Sequence, residues 1–364
     1  MPGARRTAAP VLVAALVLAG PSAALDRAEQ LADAYVEAVA KVNDGHARRP
    51  KAATEEELAA ELPRKAISSL EKLLELESAP TVHAALLRCG EAALDLARME
   101  DFAAARARLV AESPEDAATL GTALARPRFL LRGLGGLDEA YLARFAEVLE
   151  GVLAGYDELF DFEQWSKVPG KKLRVRIHLE QEITRPPHFA PQFPWHSEID
   201  FPVVDPERLR SPTADGKFLF YGLCHELGHV IAMWGDRSSE EDHHAWAHYT
   251  GVLLVEHLSE TQKGQEWMGD LRDVRWRSLS KERERLAGVE PSPDDRDGVL
   301  ALLIALHDAV GPRSLGEAIN ALDREDRRLR VHHVRYYTFG ELGRALDDVV
   351  EDKAAGRRAR ELLD

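Results

Sequence analysis

The sequence predicts an α+β protein that is predominantly helical, and three observations predict it. Residues 25 to about 160 are rich in Ala, Leu and Glu, and helix-start signals recur through them. At Val168, Pro169 and Gly170 the texture changes to short alternating segments of strand type. Residues 218–234 then form an apolar helical run that carries His225-Glu226-Leu227-Gly228-His229, and the remainder reads as helix again. The expected organisation is a signal over 1–24 and a helical N-terminal domain over 25–165. A second domain over 166–364 holds a small sheet with an edge strand, the histidine-bearing helix and a helical C-terminal subdomain.

The first segment reads as an export signal. Arg5 and Arg6 form a basic region, residues 8–19 an apolar stretch, and Ser22, Ala23 and Ala24 a small-residue cleavage site. Twelve apolar residues are short for a membrane span, and no cysteine follows them to take a lipid. No later stretch reads as long and apolar enough for a membrane helix. The expectation is an exported chain, periplasmic or extracellular, with no stable membrane insertion. A net charge of −15 disfavours nucleic acid and anionic membranes as partners. Two cysteines, Cys89 and Cys224, make no disulfide scaffold, and Cys224 lies in the apolar motif helix, where a packed free thiol is expected.

In chain order, Thr54 with Glu57 forms a capping box, and Pro114 after Ser113 sits at a first helical position. Residues 81–99 place Val82, Ala85, Leu86, Ala93, Leu94 and Leu96 at helical spacing, and another helix follows from Asp101. The glycines at 133, 135 and 136 interrupt the pattern, and Asp138 caps a long helix toward Tyr156. Leu173, Val175, Ile177 and Leu179 alternate with Arg174, Arg176 and His178, which predicts a half-buried strand. Residues 185–194 read as a proline-rich loop. Residues 199–204 read as a further strand, and Pro202 within it predicts an edge, which could accept an extended peptide or merely be blunted by its proline. After the motif helix, 236–242 is a polar loop, and a helix follows through His243 and His244 toward Leu258. Residues 281–297 read as an exposed charged loop. Ser314 with Glu317, and Thr338 with Glu341, read as capping boxes that open amphipathic helices.

His225 and His229 stand four residues apart, so both imidazoles lie on one helix face and can converge on one ion. Glu226, beside the first of them, is placed to take a proton from an activated water. Three fixed residues arise by chance on the order of once in twenty chains of this size, and the bland reading is two hydrogen-bonded core histidines. The setting favours a metal: a buried helix with strands before it and a second histidine-rich helix after it. Zn2+ in catalytic sites takes three protein ligands, so a third is expected from the next helix.

At this point the chain resembles the zinc metallopeptidases called gluzincins, members of the peptidase MA clan. In many of them a second helix carries a pattern like N-E-G-[FL]-A-x-Y, whose glutamate is the third ligand. The run His243-His244-Ala245-Trp246-Ala247-His248-Tyr249 looks like that pattern, with aromatic, alanine and tyrosine in place and 14 residues between His229 and His244. The resemblance covers roughly residues 173–258 with definite features and the helical tail loosely. It implies a zincin-like catalytic domain, bound Zn2+, a peptide or protein substrate, and peptide-bond hydrolysis with Glu226 as general base.

One departure stands out. His244 occupies the position of the family glutamate, so the implied metal set is His225, His229 and His244, three histidines being an ordinary zinc environment. Glu241 and His248 share its helix face and are alternative third ligands, Asp242 is close, and His243 points to another face. Tyr249, His332, Tyr336 and Tyr337 are candidate donors to a developing oxyanion, though each taken singly reads better as a packing or surface residue. The competing functional reading is a catalytically inactive zincin-fold protein that binds or scaffolds through its N-terminal helices. A helical interaction protein with an accidental motif is the other.

Overall fold

A computed structural model describes residues 21–47, 53–163, 170–180, 188–192, 196–203, 214–231, 240–261, 278–293, 295–327 and 338–363. The expected signal residues 1–20 lie outside them, as do the residues from Trp234 to Arg237, Trp195, His332, Tyr336 and Tyr337. The described chain is mostly helical, with one mixed five-stranded sheet.

The N-terminal layer consists of α1 (Pro21–Ala47), α2 (Glu55–Ala60), α3 (Arg64–Leu74), α4 (Pro80–Asp95), α5 (Met99–Glu112) and α6 (Pro114–Leu120). Local chemistry explains where these helices begin. Thr54 accepts from the Glu57 backbone N–H while the Glu57 carboxylate accepts from that of Thr54, the expected capping box. Pro80 and Pro114 occupy first turns, where a missing N–H is harmless. At the C-terminus of α3, where carbonyls run out of i+4 partners, the Arg108 guanidinium of α5 donates to the Leu73 and Leu74 carbonyls and to that of Leu76 just beyond. Leu31, Tyr35, Leu58, Leu73, Leu86, Phe102, Leu109 and Leu120 form the buried centre of this layer.

The helical reading of residues 25–160, interrupted only at the glycines of 133–136, is corrected at 122–134. There β1 (Thr122–Ala125) and β2 (Phe129–Leu134) form an antiparallel hairpin around Pro127. Ala and Leu fill both strands, so propensity argued for helix. Gly121, at φ 77°, ends α6 in a conformation that a side chain resists, and forces the change of direction. Leu130 then joins the N-terminal cluster while Phe129 and Leu131 join a second one, so opposite faces of β2 serve opposite cores.

The second cluster starts with α7 (Glu139–Phe160), capped by the Asp138 carboxylate, which accepts from the Tyr141 N–H at 2.7 Å. This helix is the crossover that allows β2 to pair in parallel with β3 (Leu173–Leu179), the strand the alternation predicts. β3 pairs in parallel with β5 (His196–Val203), and β5 pairs antiparallel with β4 (His188–Gln192), giving the order β1-β2-β3-β5-β4. The expected edge is therefore misplaced. β5 is an interior strand, and the edge is β4, inside the stretch read as a proline-rich loop. Pro202 is tolerated because the Val203 carbonyl accepts from the Glu180 N–H. Odd-numbered residues of β5 thus face β3, which turns Pro202 toward β4 beyond the last described pair, His188 with Asp200.

The two layers are locked together by Arg174 of β3, which pairs with Glu55 at the start of α2; both are buried. Lys172 adds Glu56 at 2.7 Å.

Beyond β5 come α8 (Ala214–Ile231), α9 (Glu240–Ser259), α10 (Leu279–Arg285), α11 (Arg296–Arg327), α12 (Phe339–Val349) and α13 (Lys353–Leu363). Three expectations are corrected here. The charged stretch 281–297 is not all loop: Ser278 caps α10 by accepting from the Lys281 N–H. Ser314 is no cap, because the break in α11 falls at Gly311 (φ 79°) and the helix resumes at Pro312, leaving Ser314 inside the first turn. Finally, Arg296–Leu322 is long and apolar enough by length and composition to cross a membrane. Much of that surface, including Val299, Leu303, Leu306, Leu315 and Ile319, is buried in the second cluster. The Thr338–Glu341 capping box forms as expected.

Candidate metal centre

α8 and α9 form a hairpin whose closeness is set by small residues. A side-chain carbon added at Gly228 would lie 2.4 Å from Thr250 Oγ1 and 2.7 Å from the Ala247 Cα. One added at Gly251 would lie 3.3 Å from the His225 backbone nitrogen. Tyr156 of α7 pins the pair from below, donating to the Cys224 carbonyl at 2.6 Å, with Thr250 Oγ1 3.4 Å away. From Tyr221 to Val230 the motif helix is buried except at His225, which is partly exposed. Cys224 and Cys89 are buried free thiols, and burial pushes both up, Cys89 to about 12.

Across this hairpin the nitrogens of His225, His229 and His244 all fall within 4.8 Å of one another. The His229 ring stands 4.9 Å from each of the other two and nearly perpendicular to them. The His225 and His244 rings lie 5.7 Å apart at 18°, with His244 Nδ1 3.4 Å from His225 Nε2. Two nitrogens bound tetrahedrally at ~2.05 Å stand about 3.3 Å apart, so this edge of the triangle already has the spacing that zinc requires. His229 and Glu226 are each 7% exposed, while His225 and His244 are partly open, so the triangle is closed on one side and accessible on the other. Glu226 precedes His229 by three residues and shares its flank of the helix. The donor set fits Zn2+: three imidazoles and one accessible position.

The structure separates the candidate third ligands. His244 joins the cluster. His248 does not: its Nδ1 lies 2.6 Å from the Tyr221 hydroxyl and its Nε2 3.1 Å from Glu282. The side chains of Glu241, Asp242 and His243, in the first turn of α9, lie outside the described residues. Tyr249 is a packing aromatic, the reading favoured for it over an oxyanion donor. It is fully buried, packs on Phe160 and Trp246, and meets His307 Nδ1 at 3.0 Å. Burial pushes the His307 imidazole below its ordinary pKa.

Two neighbours of the cluster escape a sequence reading. Tyr221 lies one turn before His225, its hydroxyl 3.4 Å from His225 Nδ1, and helical spacing alone could have found it. Glu282 comes from α10, and nothing local marks it. His248, and after it Arg285, hold its carboxyl down to about 2 from an ordinary 4.5, against the opposing push of burial. A folded value below the unfolded one means stabilisation that is present above pH ~4.5 and lost as pH falls toward 2, on the order of 3 kcal/mol. The Tm difference between wild type and Glu282→Gln is therefore expected to shrink as pH is lowered from 6 to 3. A constant difference would show that the carboxylate charge contributes nothing.

No protein-family model, curated protein or solved structure matches this chain, so the fold and the histidine triangle are the grounds on which its chemistry is read.

Proposed function

We propose that the protein is an exported zinc-dependent metallopeptidase of gluzincin type, with a zincin-like domain formed by the sheet and the α8–α9 hairpin. The observation that carries this reading is the convergence of His225, His229 and His244 within 4.8 Å, with Glu226 buried on the same helix between the first two. When bound there, zinc supplies a Lewis acid that polarises a scissile carbonyl and acidifies a water. Glu226 takes a proton from the attacking water and delivers it to the leaving amine. The scaffolding alternative gives no role to a glutamate at that position.

β4 supports an extended substrate. It is one of the two antiparallel edges of the sheet, the one that packs against α8, and its outer side faces away from β5. A peptide added to that edge would run alongside the motif helix, although Pro191 withholds one backbone donor. Charge argues against nucleic acid as substrate, the chain carrying 62 acidic and 47 basic residues. The basic and apolar pattern of residues 5–19 supports export.

Zinc content of the purified protein tests the centre directly. One zinc per chain is expected in the wild type, with loss in His225→Ala and in His244→Ala. Zinc kept by His244→Ala at wild-type affinity would reassign the third ligand. No zinc in the wild type after reconstitution would remove the enzyme reading.

A further inference from the structure

Behind the histidine triangle runs a chain of hydrogen bonds that the metallopeptidase reading does not require. It leads from His225 Nδ1 to the Tyr221 hydroxyl (3.4 Å), to His248 Nδ1 (2.6 Å), and from His248 Nε2 to Glu282 (3.1 Å). Glu282 is in turn held by Arg285 at 2.8 Å, and Arg285 by Asp297 at 2.9 Å. Four secondary elements contribute, since Tyr221 and His225 are on α8, His248 on α9, Glu282 and Arg285 on α10, and Asp297 on α11. Tyr221, His248 and Glu282 are each less than a tenth exposed, so water competes little for these bonds.

The direction of the bonds follows from the far end. An ionised Glu282 flanked by Arg285 can only accept, so His248 Nε2 carries a proton and donates it. When that ring is neutral, Nδ1 is the acceptor and the Tyr221 O–H donates to it. The lone pairs of the Tyr221 oxygen are left toward His225, whose Nδ1 therefore carries the hydrogen. That places the hydrogen-free nitrogen of His225 at Nε2, 3.4 Å from His244 Nδ1.

We infer that Glu282, acting through His248 and Tyr221, positions His225 for the metal by fixing its tautomer, and supplies from outside the ligand set the negative charge that a three-histidine site lacks. This inference rests on the metal reading. Ligand histidines commonly pass their other N–H to a carboxylate, and loss of that partner weakens metal binding by about 10- to 100-fold. Here the carboxylate lies two side chains further out. In the resembled family a glutamate ligand carries the charge; in this chain His244 stands at that position and Glu282 supplies the charge instead.

The test is the zinc affinity of the full-length protein, measured by competition with a chromophoric chelator, for wild type, Tyr221→Phe, Glu282→Gln and the double variant. Each single variant is expected to bind zinc about 10- to 100-fold more weakly. The double variant is expected to be weaker by less than the product, because both changes cut one chain. Long-range 15N–1H spectra of the zinc-free wild type should show His225 protonated at Nδ1, shifting toward Nε2–H in both single variants; a merely structural role would leave this unmoved. Tyr221→Phe keeps the ring and its packing, and Glu282→Gln reads the same chain should the other variant fail to fold. Wild-type zinc affinity within twofold in folded variants, or His225 protonated at Nε2 throughout, would overturn the inference and leave the metal centre standing. A wild type that binds no zinc would overturn both.

Discussion

Replacing Glu226 by Gln is expected to leave one zinc per chain and to lower hydrolysis of unstructured peptides by about 10²- to 10⁴-fold. In activation terms that is about 3–5 kcal/mol, at ~1.4 kcal/mol per decade. Gln preserves the volume and polarity of a side chain that is 7% exposed, so the packing of α8 against α9 should survive. Only the capacity to accept a proton is removed. Zinc content and hydrolysis of a denatured protein substrate, read on the same two preparations, separate the possibilities. Full activity in Glu226→Gln would remove the residue from the proton path. Loss of zinc would show instead that Glu226 helps to shape the cluster.

How much of this was legible in the sequence depended on how local the cause was. The capping boxes at Thr54 and Thr338 and the cap at Asp138 form as read, because a cap and its helix lie within four residues. β3 appears with the bounds its alternation implies, since Leu173, Val175 and Ile177 all reach a core. The β1–β2 hairpin was hidden by Ala and Leu, which favour helix until the sheet recruits them. β4 was hidden by its prolines, and β5 was displaced from the edge by a partner that the sequence does not announce. At the site, His225, Glu226 and His229 are fixed by spacing within one helix. The choice among Glu241, His244 and His248 was not, because residues three and four apart share a face. Tertiary contacts separate two of them: His248 turns to Tyr221 and Glu282, while His244 turns to His225. Glu282 was the least legible of all. It lies among exposed charges such as Arg283 and Glu284 and is distinguished only by the contact of α10 with α9.

Gly228, a motif residue with no chemistry of its own, carries the other large expected effect. Gly228→Ala places a carbon 2.7 Å from the Ala247 Cα and 2.4 Å from Thr250 Oγ1. The threonine hydroxyl can rotate, at the expense of its bonds to the Trp246 and Ala247 carbonyls. The backbone at Ala247 can move only if α9 moves. Helix propensity favours Ala over Gly by about 1 kcal/mol, whereas forcing a methyl into a filled contact costs about 1–3 kcal/mol, so a net loss of stability is expected. The larger consequence is geometric. His244 rides on α9 three residues before Ala247, and metal sites tolerate only ~0.2 Å in their bond lengths. Zinc affinity should therefore fall on the order of tenfold or more, with a lowered Tm. Gly340→Ala is the control: nothing lies within 4 Å of the added carbon in α12, so there the propensity gain should appear alone as a raised Tm with zinc affinity unchanged. If Gly228→Ala behaved like Gly340→Ala, the approach of α8 to α9 would not be what brings His244 to the other two histidines, and the triangle would have to be held by the residues beneath it, with Tyr156 the first to test.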